Sequence, residues 1–177
     1  MKTFLLVMLT AVPTLCFAKE TWVLETSTLT YHVKHKLHRS EGTSVAARGK
    51  GLCAPAGCDF LVAAPVNTFV SGDNNRDLHM LETVRGAANP MVTVMVHLPD
   101  SPTQDFAADL DIQFAGKKHR YPQVPFRVGS HTPDAIEFTG TIPLTLNDFE
   151  ITPPSLLTIP IKNDIPLDVA MRWGKNP

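Results

Sequence analysis

The chain has 177 residues, a net charge of −1 with histidine neutral, and 19% charged residues. A length of this size suits one domain. The near-neutral balance excludes the electrostatic footprint of a nucleic-acid-binding domain, and there is no polybasic run for anionic membranes.

The N-terminus reads Met1-Lys2-Thr3, then an apolar run over 4–12, a Pro13-Thr14 break, and small residues at Cys16 and Ala18. One positive charge, a short apolar stretch and small residues in that order are a secretory signal. The run is too short to span a bilayer as a helix. The sequence therefore predicts a signal peptide over 1–18. Cleavage is expected after Ala18 rather than at a lipidated Cys16, because Leu15 occupies the place where a lipoprotein signal has a small residue. Lys2 is the only charge that leaves, so the mature chain 19–177 carries −2. It is expected to be periplasmic or secreted, with no transmembrane segment.

Over 28–37 the odd positions Leu29, Tyr31, Val33 and Leu37 are bulky, while Thr28, Thr30, His32, Lys34 and Lys36 are polar. Period two means a half-buried strand. His32, His35 and His38 recur every three residues. On a strand His32 and His38 point one way and His35 the other, so they do not converge on a metal without His79 or His97. His32 and His38 are expected to be solvated. His35 falls on the apolar face, where a neutral imidazole needs a hydrogen-bond partner or a ligand head group.

Cys53 and Cys58 flank Ala54-Pro55-Ala56-Gly57, a turn-forming insert. Two cysteines make a poor zinc site, and an exported chain meets an oxidising compartment, so a structural disulfide is predicted. Its short loop stabilises less than a long-range bridge. Residues 60–70 form a nearly continuous apolar run containing Pro65, read as one kinked or interrupted strand. In 73–86, Leu78, Met80, Leu81 and Val84 predict a short amphipathic helix capped by Asp73 or Asn74 and ended by Gly86. Residues 91–98 are apolar on both faces, so both sides are expected to be covered.

Alternation then returns. Leu110, Ile112 and Phe114 precede a turn at Gly116-Lys117; Val124, Phe126 and Val128 share a face; Ile136, Phe138, Ile142, Leu144 and Leu146 form another set. The last run alternates Ile165, Leu167, Val169, Met171 and Trp173 with Pro166, Asp168, Ala170 and Arg172. The prolines at 122, 125, 143, 160 and 166 must sit at strand ends, edges or bulges. The sequence predicts an all-β fold of about eight antiparallel strands, a sandwich or closed barrel, with one short helix over an opening or edge.

The order of motifs carries a resemblance. Trp22 opens a strand ending in Val33-Lys34-His35, followed by Ser40-Glu41-Gly42. Then come Ser71-Gly72-Asp73-Asn74-Asn75-Arg76-Asp77-Leu78-His79-Met80, an Asn89-Pro90 step, and Leu110 to Lys118 as strand and turn. This order resembles the YceI-like family over nearly all of 20–173. These are exported bacterial proteins with a lipocalin-like barrel, and the best-known members bind polyisoprenoid lipids. The family's common Asp-Phe-Gly turn stands here as Asp148-Phe149-Glu150.

The resemblance implies an eight-stranded antiparallel lipocalin-like β-barrel over 19–177 with a hydrophobic small molecule or lipid as partner. No cofactor is implied beyond a bound isoprenoid lipid. Lumen candidates are Tyr31, Val33, His35, Leu37, Phe114, Phe126 and Phe138. Arg76, Asp77 and His79 are candidates for a head-group contact at the mouth or for a cap and ion pair fixing the helix. Catalytic motifs are absent: no Gly-x-Ser-x-Gly, no His-Glu-x-x-His and no phosphate loop. The chain is not expected to be an enzyme, and no metal ligands are assigned. The alternatives are a haem or metal binder through His35, a fully packed structural or interaction module, and assembly as a homodimer.

Overall fold

The period-two segments fold as strands in a computed structural model that describes residues 19–36, 39–156 and 158–176. They are β1 (Glu20–Lys34), β2 (Arg39–Ser44), β3 (Arg48–Ala54), β4 (Gly57–Pro65), β5 (Met91–Leu98), β6 (Phe106–Phe114), β7 (Lys117–Thr132), β8 (Ala135–Ile142), β9 (Ser155–Leu156), β10 (Ile159–Pro160) and β11 (Leu167–Asn176), with one helix α1 (Asn74–Thr83). The expected signal peptide, Leu37 and His38 lie outside the described residues.

Eight strands close a barrel. β1, β3, β4, β5, β6, β7, β8 and β11 pair in that order, and β11 returns to β1. Every pairing is antiparallel. The predicted all-β barrel with one short helix is therefore present. Closure removes most free edges. The exception is β2. It pairs with the same edge of β1 as β3 and in the same register, Ser44 opposite Leu29 and Lys50 opposite Val23. The two strands are one ribbon interrupted at 45–47. Among the described residues the outer edge of β2 carries one backbone bridge, Thr43–Val70.

Side-chain size explains the ladder. Gly49 and Gly51 on β3 leave room for rings: a Cβ on Gly49 would lie 2.5 Å from the Trp173 ring, and one on Gly51 would strike Phe60. Bulges at Leu24/Thr26, Ala108/Leu110 and Val128/Ser130 keep apolar residues inward on either side of each extra residue. Pro122 and Gln123 (φ 52) form the second. Its Asp109 accepts from Arg120 Nη2 at 2.8 Å and from the Gln123 backbone N–H at 2.9 Å. These contacts, Arg120 first, hold its carboxyl down at about 2.

Pro65 ends β4, and a short 3-10 turn follows at Val66–Thr68, so the 60–70 run is interrupted as predicted. Three expectations change. β5 is not covered on both sides: Met91 and Met95 stand outward and exposed, while Val92, Val94, Val96 and Leu98 face inward. Apolar outward residues had hidden an ordinary alternation. The β6–β7 turn is Ala115-Gly116, both with positive φ, and Lys117 already belongs to β7. Leu78 does not join the buried face of α1; it is 59% exposed.

Candidate functional site

The inward faces leave a cavity of about 650 Å³ within the barrel. That lies within the range of small-molecule sites, and it rules out the fully packed barrel considered from sequence. Its walls are almost wholly apolar. Phe126 and Phe138 meet edge to face at 5.5 Å, and Phe106 stacks on Phe126 at 5.1 Å. Alternating strands place these rings inside because every second residue points to one face.

One end is closed by short connections. Trp22 on β1 and Trp173 on β11 line it, each 2% exposed. Phe60 packs edge-on to Trp173 at 5.1 Å. Cys53 and Cys58 stand directly opposite each other on β3 and β4 and form the predicted disulfide. The indole N–H groups of Trp22 and Trp173 have no hydrogen-bond partner among the described residues.

The other end is covered by α1 and the segments after β8. The N-cap of α1 is Asp73, whose carboxylate accepts from the Arg76 backbone N–H at 3.1 Å. Asp77 accepts from the Ser71 backbone N–H at 3.0 Å and from Ser71 Oγ at 2.6 Å. Arg76 Nη1 donates to the Ser71 carbonyl at 3.4 Å. The stretch that carried the family resemblance thus fastens α1 across the mouth. At its far end the Gly86 N–H donates to the Leu81 carbonyl at 2.8 Å and the Arg85 N–H to that of Glu82 at 3.1 Å. This is a Schellman-type stop. The left-handed position in it is Arg85 (φ 57) rather than Gly86; a Cβ at 86 would lie 3.0 Å from Leu81 Cδ2, a side-chain tip that would have to give way slightly.

Of the residues expected to serve the lumen, Tyr31, Val33, Phe114, Phe126 and Phe138 line the cavity, as do Arg76 and His79 at the mouth. Two others do not. Asp77 is spent on Ser71. His35 lies just past the end of β1, where alternation no longer predicts direction; it is buried, with Nε2 3.1 Å from the Ile159 carbonyl oxygen. Leu37 lies outside the described residues. Among the described residues no group of three His, Cys, Asp or Glu side chains is placed to hold a metal. His32 is solvent-facing, as expected, and its Nε2 sits 2.8 Å from Asp168.

Sequence reasoning left Phe60, Phe69, Met80, Val94, Leu144 and Ile161 out of the site, though all line it. Phe60 and Val94 had a usable signal, the even-numbered alternation of β4 and β5. Phe69 and Ile161 sit in irregular segments that carry none.

The mouth combines apolar walls with few polar groups. Burial, and then the nearby Asp77 charge, pushes the Tyr31 phenol above its usual value. Beside the mouth, Tyr121 donates to Asp148 Oδ2 at 2.6 Å and receives the Thr145 backbone N–H at 3.3 Å. Burial, then this bond to Asp148, raises the Tyr121 phenol. Burial acts to raise Asp148, but hydrogen bonds from Tyr121 and Thr145 outweigh it and leave the carboxyl below its usual value. These groups anchor Phe149, 1% exposed, beneath the mouth.

Three solved structures share this fold. A polyisoprenoid-binding domain from Saccharophagus degradans, implicated in plant cell wall breakdown, superposes with a TM-score of 0.71 at 14% identity, over 88% of this chain and 98% of that one. Burkholderia cenocepacia BcnA gives 0.66 at 15% identity, over 82% and 95%. A Campylobacter jejuni YCEI protein gives 0.56 at 10% identity, over 100% and 94%. The chain has the YceI-like fold. The resemblance carried by motif order thus holds at the level of the fold. No family model and no curated protein matches the sequence. In this YceI-like barrel the disulfide joins the hairpin at the closed end, and α1 covers the end where the cavity reaches the surface.

Proposed function

We propose that the chain is an exported binding protein, periplasmic or secreted, that holds a hydrophobic chain in its lumen, a polyisoprenoid or related lipid. The observation that carries this reading is the closed barrel around an apolar cavity of about 650 Å³. Burial at about 25 cal/mol per Å² makes an extended hydrocarbon a strong ligand without many polar contacts. The polyisoprenoid-binding domain from Saccharophagus degradans, with the same fold, supports the choice of ligand class. Tyr31 and Arg76 are polar groups on the cavity wall at the mouth, which supports a head-group contact there. The reading is of binding rather than catalysis.

Native mass spectrometry and organic extraction of protein purified from its own host test the proposal. The expected result is one extractable lipid per barrel. An empty barrel by both methods overturns it.

A further inference from the structure

Ion pairs neutralise part of the outer surface of the barrel, while Arg48, Lys50, Lys118 and Arg127 stand singly on it. Arg172 meets Glu25 at 2.7 Å and Glu137 at 2.6 Å, Lys117 meets Glu150 at 2.6 Å, and Lys175 meets Glu20 at 3.0 Å. At the open end such cations are brought together. Lys34, Lys36, Arg39 and Lys162 make no ion pair among the described residues, and all four are exposed. Lys34, Lys36 and Arg39 lie close together in the chain, and Lys162 comes from far along it. Pairing assembles them: Lys34 stands directly opposite Arg39, and the Lys162 N–H donates to the Lys34 carbonyl at 2.8 Å. Like charges directly opposite each other in an antiparallel ladder are unfavourable.

Their position matters as much as their sign. Val33, Ser40 and Ile161 line the cavity, and each is the chain neighbour of one of these cations. A basic rim therefore encloses part of the lumen entrance. Two apolar side chains stand exposed toward the same end, Leu78 on α1 at 59% and Val70, which bridges to β2, at 60%. Cations joined with exposed apolar groups are the chemistry of a bilayer interface, where charge attracts the head groups and apolar side chains enter among them.

We propose that Lys34, Lys36, Arg39 and Lys162, with Leu78 and Val70, form a docking surface for an anionic lipid bilayer, which sets the lumen entrance against the membrane. The surface would let an apolar chain pass between bilayer and barrel without crossing water. It does not depend on which molecule fills the lumen.

Vesicle flotation with the full chain tests it. The protein is expected to float with vesicles of one-third phosphatidylglycerol in phosphatidylcholine, to stay behind with phosphatidylcholine alone, and to be released by raised salt as the charges are screened. Each of Lys34→Gln, Lys36→Gln, Arg39→Gln and Lys162→Gln should lower partitioning about fivefold. Lys50→Gln, on the wall of the barrel away from the rim, should leave it unchanged. Leu78→Ser should lower it while keeping the salt dependence. The salt series on the unaltered protein keeps the test decisive if a variant folds poorly. Equal flotation on both vesicles, or binding indifferent to salt, overturns the proposal. So does capture by an acidic protein with no vesicle binding. Variants that self-associate while floating normally would also overturn it, and would assign the cations to guarding the free edge of β2. A protein that carries lumen lipid yet never floats would refute the docking surface and leave the lumen reading intact.

Discussion

The two ends of the barrel solve the same problem, closing a tube, by different means. At the disulfide end, the β3–β4 hairpin and the pairing of β1 with β11 bring Trp22, Trp173, Phe60, Cys53 and Cys58 together, and rings fill the space. At the helix end, closure is a laid-on segment held by polar contacts, Asp77 to Ser71 and Arg85 to the Glu150 carbonyl at 2.8 Å. No residue of α1 itself is fully buried. Stability is therefore concentrated at one end and access at the other. A helix held by a few polar contacts opens locally at far lower cost than a stapled aromatic floor.

The largest expected effect breaks the closed end. Trp22→Ala removes a ring 2% exposed between two strands and should cost about 4 kcal/mol. Leu81→Ala, on the half-buried face of α1, should cost only about 1 kcal/mol. Denaturant midpoints check both. Equal losses would mean that the helix end carries as much of the fold as the floor.

A methyl group sharpens the contrast. Gly51→Ala places a Cβ against Phe60, whose ring is pinned by Trp173, and should cost about 1–3 kcal/mol. Gly42→Ala places one 2.6 Å from the Tyr31 ring at the mouth. That ring borders free volume and can swing, so the loss of stability should stay below about 1 kcal/mol while the entrance narrows. Thermal denaturation together with the amount of co-purifying lipid distinguishes the two. Equal destabilisation, with lipid content unchanged at Gly42→Ala, would show that Tyr31 is as fixed as Phe60.

The same contrast explains what was legible in the sequence. Strands with apolar inward residues, such as Leu110-Ile112-Phe114 and Leu167-Val169-Met171, announce themselves by alternation. β3 does not, although it completes the barrel. Its inward positions Gly49 and Gly51 are emptied to admit rings from other strands, so the pattern is carried by Trp173 and Phe60 instead. The disulfide was readable because only the four-residue turn 54–57 separates its cysteines. The mouth was harder. His35 sits one residue beyond β1, where the period-two rule stops applying, and Leu78 obeys helical periodicity yet faces solvent. Local patterns report which side of an element is apolar. They do not report where an element ends or what lies opposite it.

The smallest effect concerns the backbone at the mouth. Glu150 adopts φ 53, a left-handed conformation that side chains with a Cβ resist and glycine accepts. The resemblance places glycine here, and the geometry gives the reason. Glu150 is held by Lys117, whose Nζ lies 2.6 Å from its carboxylate and keeps that carboxyl below its usual value. Glu150→Gly should raise the melting temperature by roughly 3 °C at neutral pH, with the lost ion pair offsetting part of the relief. The sign with pH follows from the lowered carboxyl. Its contribution is fully present above the usual glutamate value and disappears as pH falls through the depressed folded value. In acid the unaltered protein loses the Lys117 pair while the variant has none to lose, so the advantage of Glu150→Gly should widen. Melting curves over a pH series measure that gap. A gap that narrows in acid would show that the Lys117 pair does not offset the strained backbone at Glu150.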